Sequence, residues 1–232
     1  MRQHRVYIPD LRQGSLELFG EEAHHLIKVL RVKPGMRLEA FNGQGLYAAA
    51  EVKEVDRHQL SLEVFLLKET ELESSVKVTL AVALLKGDKL ADVVRQATEL
   101  GVHKIQLFSS QFADVPELSQ NKLERLRKIT IEAAKQSGRS FIPDVLEPVP
   151  LKNLILTKPC LIAHPYATQT LKNILIEKEV MIITGPEGGV SEDELSYLEK
   201  QGAEVIKFGP RILRAETAPT ALLAALLLPQ AL

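Results

Sequence analysis

The chain has 232 residues, of which 45% are apolar, with a net charge of −1 at neutral pH and one cysteine. That apolar share is enough for a packed core and excludes a disordered chain, and the near-zero charge means that any nucleic-acid contact has to be a local basic patch. The lone Cys160, in the apolar run PCLIAHP, excludes an internal disulfide and a cysteine-based zinc site, and is expected to be a buried thiol in a reducing cytoplasm.

The first residues, MRQHRVYIPD, lack the apolar stretch of a signal peptide and carry Arg2, His4 and Arg5. Next, EEAHHLIKVLRVK predicts a helix over about 21–31. Ala23, Leu26, Ile27 and Leu30 form its apolar face; His24, Lys28 and Arg31, at i, i+4 and i+7, form a charged one. Charged helix faces are usually just solvated, but the basic residues nearby point here to a phosphate-binding surface. RLEAFNG, LYAAAEVKEV and QLSLEVFLL read as strands, with Asn42-Gly43 as a turn between two of them. This part is expected to be a small β-barrel or sandwich, ending near ETELESS at 69–75.

Beyond it, strands VKVTLAVALL, KIQLFSS, CLIAHP, VMIIT and EVIKFG alternate with helices over roughly 88–100, 119–137, 191–201 and 217–228. That alternation predicts an α/β domain with a parallel sheet. Asp88, Ser119, Ser191 and Thr217 are the expected caps, Ser191 with Glu194 in an S-x-x-E capping box; Gly101 stops the first of these helices, and Pro219 lies in the first turn of the last. The final helix carries an unbroken apolar run from Ala221 to Leu228, too short to span a bilayer. Burying one leucine is worth roughly 1.5–3 kcal/mol, so exposed leucines here would drive association. A homodimer with Leu223 and Leu227 in its interface is expected, placing residues 208–218 beside the partner; the alternative is a helix buried within its own domain.

Two loops carry chemistry. TGPEGGVSEDEL (184–195) leaves a predicted strand and enters a helix, where ligands bind in open α/β sheets. It is neither G-x-G-x-x-G nor G-x-x-x-x-G-K-[ST], so neither nucleotide fingerprint applies, and it bears Glu187 where a phosphate loop would bear lysine. Gly185, Gly188 and Gly189 allow close backbone approach to a ligand. Alone, this loop reads equally well as a tight connection. The second loop, FGPRILRAETAPTA (208–221), also joins a strand to a helix and sets Arg211, Arg214 and Glu216 around Ile212 and Leu213. Charges expected to be buried among aliphatics tip the balance toward a site.

GPEGG (185–189) together with FGPRILRAETA (208–218) resembles the RsmE family of SPOUT methyltransferases, which methylate N3 of a uridine in small-subunit (16S) ribosomal RNA. Supporting matches are HHLIKVLRVKPG (24–35), KGDKL (86–90) with QATELGV (96–102), and AAKQSGR (133–139), in the family's order over nearly the whole chain. The resemblance implies a PUA-like RNA-binding β-barrel over 1–72. It also implies a SPOUT parallel-sheet domain with a trefoil knot over 73–232, holding the cofactor site and a dimer interface. The implied cofactor is S-adenosyl-L-methionine, held by His164, Thr184, Gly185, Pro186, Gly188, Gly189, Phe208, Gly209, Ile212, Leu213, Thr217 and Ala218. A sulfonium tolerates a nearby acid, which accounts for Glu187 in the loop.

Uridine N3 is a poor nucleophile until its proton leaves, so the reaction needs a base, a cation to stabilise the anion, or both. Arg214, permanently charged, is the expected electrostatic catalyst. Glu187 is the candidate base, or else a ligand for loop amides, and Glu216 would orient Arg214 or cap the last helix. No metal is called for: the chain has no HExxH and no clustered Cys/His. RNA contacts are assigned to Arg5, His24, His25, Lys28, Arg31, Gln136 and Arg139. Gln96, Phe112 and Lys135 depart from the family pattern and are expected to lie away from both cofactor loops. The weak net charge favours the assembled small subunit over short RNA as substrate. Two alternatives stand beside this reading: a methyltransferase of another RNA such as tRNA, opposed by HHLIKVLR and NGQG, and an inactive RNA-binding relative, opposed by the retained Arg214 and glycines.

Overall fold

The computed structural model describes residues 4–171 and 174–228, so Arg2 lies outside the described residues. The chain packs as two units, Met1–Glu73 with Ala134–Ile142, and Ser74–Ala133 with Pro143–Leu232.

In the first unit, strands β1 (Arg5–Tyr7), β2 (Gly14–Leu18), β3 (Arg37–Phe41), β4 (Leu46–Val55) and β5 (Leu60–Val64) pair in the order β1-β3-β4-β5-β2, and β6 (Lys68–Glu69) pairs with β4. β1 runs parallel to β3 and the other pairs are antiparallel. One face buries Val6, Leu16, Leu38, Ala50, Val52 and Leu62 against Ala23 and Leu26. The Asn42-Gly43 turn forms as expected. Asn42 Oδ1 accepts from the amides of Gln44 at 2.8 Å and Leu46 at 3.0 Å, and Gly43 takes φ +75°.

The expected helix over 21–31 is shorter and irregular. Helix α1 (Gly20–His24) passes directly into a π-helical turn, His25–Val29, closed by Leu30 N–H donating to the His25 carbonyl at 3.1 Å. Arg31 then sits outside it at φ +52°. A widened turn breaks the i, i+4, i+7 alignment, so His24, Lys28 and Arg31 do not share one regular helical face. All three are exposed; His25 is half-buried.

The second unit is an α/β layer structure. Strands β7 (Lys77–Ala83), β8 (Lys104–Ser109), β9 (Asp144–Pro150), β10 (Cys160–Ala163), β11 (Gln169–Thr170), β12 (Glu179–Thr184) and β13 (Ala203–Lys207) form one parallel sheet in the order β11-β13-β10-β12-β7-β8-β9. Alternate residues serve opposite faces. Val78, Leu80, Val82, Leu161, Val180, Ile182 and Ile206 pack with helices α2 (Lys89–Leu100), α3 (Gln120–Ser137) and α5 (Thr217–Leu227). Ala81, Ala83, Cys160, Ile162, Met181 and Ile183 pack with Leu198 of α4 (Glu192–Lys200). Cys160 is buried, and burial pushes its thiol pKa up to about 12.

Strands β9 and β11 fall outside the expected set. DVLEPVP contains Pro148 and Pro150, which cannot donate to a ladder, and β9 lies at the end of the sheet, where that loss is tolerated. β11 has two residues, too few for an alternation signal.

Two caps differ from expectation. Asp88 holds the N-cap position of α2 without a side-chain cap bond; its carboxylate accepts both terminal nitrogens of Arg125 at 3.1 Å. Thr217 is the first residue of α5, and the N-cap is Glu216, which makes no side-chain cap bond either. The Ser191–Glu194 capping box forms in full, and Gly101 ends α2 at φ +104°.

The expected exposure of the last helix is corrected. Leu222, Leu223, Leu226 and Leu227 are buried in the unit's own core, Leu223 at 0% exposure. Helix α5 lies against α2 and the sheet, where Thr220 Oγ1 donates to Gln96 Oε1 at 2.7 Å. Leu223 and Leu227 are therefore core residues and are not available as an interface. Among the described residues, no helix is long and apolar enough to cross a membrane.

Candidate active site

The carboxyl ends of neighbouring strands β13, β10, β12 and β7 open onto one cleft of about 610 Å³ in the second unit. Its walls come from the segments that follow each strand: His164 and Tyr166 after β10, residues 184–190 after β12, residues 212–216 after β13, and Lys89 at the start of α2. The chain reaches these strands out of order, β12 lying between β7 and β10, which is the topology that leaves a ligand crevice at strand ends.

The two motif loops are brought together. Thr184, Gly185, Pro186, Glu187, Gly188, Gly189, Ile212, Leu213, Arg214, Glu216, Ala218 and His164 all line the cleft. Phe208 and Gly209 line an adjoining recess of about 80 Å³ that shares His164, Ile212, Leu213 and Ala218. Thr217 is exposed and faces neither.

Backbone demands explain the glycines. Gly189 donates its N–H to the Pro186 carbonyl at 2.9 Å and takes φ +77°, closing a tight turn. A side-chain carbon on Gly188 would sit 2.8 Å from the Phe112 carbonyl oxygen and 2.9 Å from its Cβ. Phe112 therefore abuts the first motif loop, contrary to the expectation that it lies away from it.

The loop is anchored beyond its turn. Glu194, 6% exposed, accepts from the Ser191 amide at 3.0 Å and from the Gln111 amide at 2.8 Å, tying the start of α4 to the segment after β8.

Charges at the cleft form a short chain. Lys89 Nζ donates to Glu187 Oε1 at 2.9 Å and lies 3.7 Å from Glu216 Oε2, an ion-pair distance too long for a hydrogen bond. Arg214 Nη1 is 3.9 Å from Glu216 Oε1. Burial acts to raise the Glu187 pKa, but hydrogen bonds from Lys89 and from backbone amides outweigh it, and the net shift is downward. The hydrogen bond to Glu187 in turn raises Lys89, so both stay ionised near neutral pH. Glu187 thus has the arrangement of a loop anchor, the second of its two expected roles.

Two buried polar atoms have no hydrogen-bond partner among the described residues, Thr184 Oγ1 and Glu216 Oε2, and both residues line the cleft. Orphaned buried acceptors are costly, so a ligand with donors at those points is the natural complement. The expectation that this loop buries its charges is corrected: Ile212 is 74% exposed and the Arg214 side chain 84%. Lys89 was not among the expected site residues; its signal was its place in KGDKL.

Two of the expected RNA contacts are already engaged within the first unit. The Arg5 side chain is 9% exposed and donates to Glu39 at 2.7 Å, to the carbonyls of Ala134 and Arg139 at 3.0 and 2.7 Å, and to Ser140 Oγ at 3.0 Å. Arg139 is 4% exposed and donates to both carboxylate oxygens of Glu73, at 3.0 and 2.6 Å. Both are framework residues with no face left for phosphate. Lys135 pairs with Glu22. Gln136 is exposed, as are His24, Lys28 and Arg31.

One unit is a parallel sheet with a loop-built cleft at its switch point and the other a small β-unit, and comparison gives the class, RNA methyltransferase: a family model described as an RNA methyltransferase domain matches residues 72–227, and an RNA methyltransferase PUA domain matches 18–65. The Bacillus subtilis ribosomal RNA small subunit methyltransferase E is 30% identical over 91% of this chain and 89% of its own length. The Synechocystis protein of the same name is 32% identical over 91% and 72%. The crystal structure of the Neisseria gonorrhoeae enzyme of that name, bound to S-adenosyl methionine, is 30% identical, covers 97% of each chain and superposes with a TM-score of 0.91. This chain belongs to the ribosomal RNA small subunit methyltransferase E family.

Proposed function

We propose that the protein methylates N3 of a specific uridine in small-subunit (16S) ribosomal RNA with S-adenosyl-L-methionine as donor, acting in the cytoplasm on the assembled subunit and without a metal. The observation that carries this reading is the cleft, in which the GPEGG and RILRAETA loops converge on two buried acceptors that receive no hydrogen bond among the described residues. The residues fit the donor. Pro186, Val190, Ile212, Leu213 and Ala218 provide apolar wall for a purine, while Thr184 offers an acceptor for a hydroxyl or amino group. The single lysine on the wall is already paired with acids, so no triphosphate clamp competes for the site. When bound, S-adenosylmethionine supplies an electrophilic methyl group on a sulfonium.

Arg214 supplies the fixed positive charge that steadies the uracil as N3 loses its proton. Glu187, held by Lys89, keeps the first loop in register. The first unit grips RNA through His24, His25, Lys28, Arg31 and Gln136. A homodimer remains part of the reading: Tyr166 and Ile212, on the cleft wall, are 81% and 74% exposed, which suits a second copy covering the site.

The test is methylation of small subunits purified from a strain lacking this enzyme, with labelled donor and mass-spectrometric mapping of the product. One N3-methyluridine in 16S RNA is expected. Label in tRNA alone, or at another atom, would overturn the assignment, and equal turnover on a short oligonucleotide would overturn the assembled-subunit requirement.

Gly188→Ala tests the cradle. The new methyl meets the Phe112 backbone, so the loop must shift. Calorimetry is expected to show affinity for S-adenosylmethionine lowered about tenfold, roughly 1.4 kcal/mol, with little change in thermal midpoint. Unchanged affinity would show that the close approach has no part in binding.

A further inference from the structure

We propose that Glu216 is the residue that accepts the substrate's N3 proton. This rests on the uridine-N3 reading above and goes beyond it by naming the base.

The cleft holds two carboxylates, and the structure treats them differently. Glu187 Oε1 is committed to Lys89 at 2.9 Å and to the Lys86 amide at 3.4 Å, and its pKa is displaced downward, so it is a poor proton acceptor. Glu216 lines the cleft, and its buried Oε2 has no hydrogen-bond partner among the described residues and meets Lys89 only at the longer ion-pair distance of 3.7 Å. The other roles expected for Glu216 are weakly filled. It makes no side-chain cap bond to α5, and its contact with Arg214 is only 3.9 Å. A carboxylate oxygen that no hydrogen bond occupies, on a residue lining the site, is what a base for an imide N–H requires.

The surrounding charges suit the same step. The charged and titratable groups at Glu216 are Lys89 from α2, Glu187 from the loop after β12, Arg214 from its own loop, and His164 and Tyr166 from the segment after β10. Lys89 at 3.7 Å and Arg214 at 3.9 Å are placed to meet negative charge as it develops on the uracil carbonyls. The N3–H bond breaks with its electron pair left on N3, and the proton goes to Glu216 Oε2. That pair forms the N3–methyl bond while the sulfur–methyl bond breaks with its pair on sulfur. Glu216 then returns its proton to water.

Glu216→Gln keeps the shape and removes the base. Its single-turnover rate at saturating donor is expected to fall about 10²–10⁴-fold, with donor affinity by calorimetry and thermal midpoint near wild type. Two further readouts separate a base from a merely structural acid. The loss should shrink as pH rises, because hydroxide ionises N3 without help, and it should shrink on RNA carrying 5-fluorouridine, whose N3 proton is more acidic. Glu187→Gln should show neither effect. Lost donor affinity with an unchanged saturated rate would assign Glu216 to donor binding and overturn the proposal, as would a rate loss insensitive to both pH and 5-fluorouridine. If Glu216→Gln does not fold, Glu216→Asp carries the test: it should be slower yet keep the wild-type response to pH and 5-fluorouridine. A wild type that makes no N3-methyluridine would sink the underlying function instead, a result read from the product and not from the variants.

Discussion

Replacing Arg214 with alanine is expected to lower the methyl-transfer rate at saturating donor by about 10²–10³-fold, the usual cost of removing one fixed donor from a developing negative charge. The reason is geometric. Arg214 sits in the loop after β13 on the cleft wall, and its side chain is 84% exposed and touches Glu216 only at 3.9 Å. A guanidinium so lightly committed contributes little to folding, so the thermal midpoint of Arg214→Ala should match wild type. Donor affinity by calorimetry should change by less than about threefold, because an interaction made mainly in the transition state appears in the rate and not in ground-state binding. Arg214→Lys should recover only part of the rate, since a point charge cannot present a planar pair of donors to a carbonyl. Full activity in Arg214→Ala would remove the arginine from the mechanism.

The largest effect on stability is expected at Leu223. It is fully buried between α5, α2 and the sheet, so Leu223→Ala should cost about 2–5 kcal/mol. Leu223→Lys places an unpaired charge there and should leave the second unit unfolded, read as loss of cooperative thermal unfolding and of soluble protein. Were α5 a dimer contact, the lysine variant would instead be a folded, soluble monomer by light scattering, and that outcome would contradict the packing described here.

The same helix shows where local reading stops. A run of leucine and alanine from 221 to 228 says that the helix is apolar on all sides, and nothing in the run says what covers it. Coverage comes from α2 and strands β7 and β12, at least 33 residues away along the chain. Arg5 and Arg139 teach a similar lesson. As isolated letters they are basic residues beside other basic residues. Only the return of residues 134–142 to the first unit gives Arg5 its two carbonyls and Ser140, and gives Arg139 the Glu73 carboxylate.

What the sequence by itself determined about this protein is what depends on neighbours within a few residues. The α/β alternation, the Ser191–Glu194 box, the Gly101 stop, the Asn42-Gly43 turn and the two motif loops all follow from local backbone preferences, and local preferences are written in adjacent residues. Tertiary structure alone decided the rest. It put two prolines on a strand by placing β9 at the sheet's edge, where no partner needs their missing amides. It set Phe112 against Gly188, and Lys89 between Glu187 and Glu216. Of two cleft carboxylates it gave one a hydrogen bond from Lys89 and left a buried oxygen of the other without a hydrogen bond among the described residues. Whether a charge is spent or available depends on which distant groups the fold brings within about 3 Å of it, and spacing along the chain does not encode that distance.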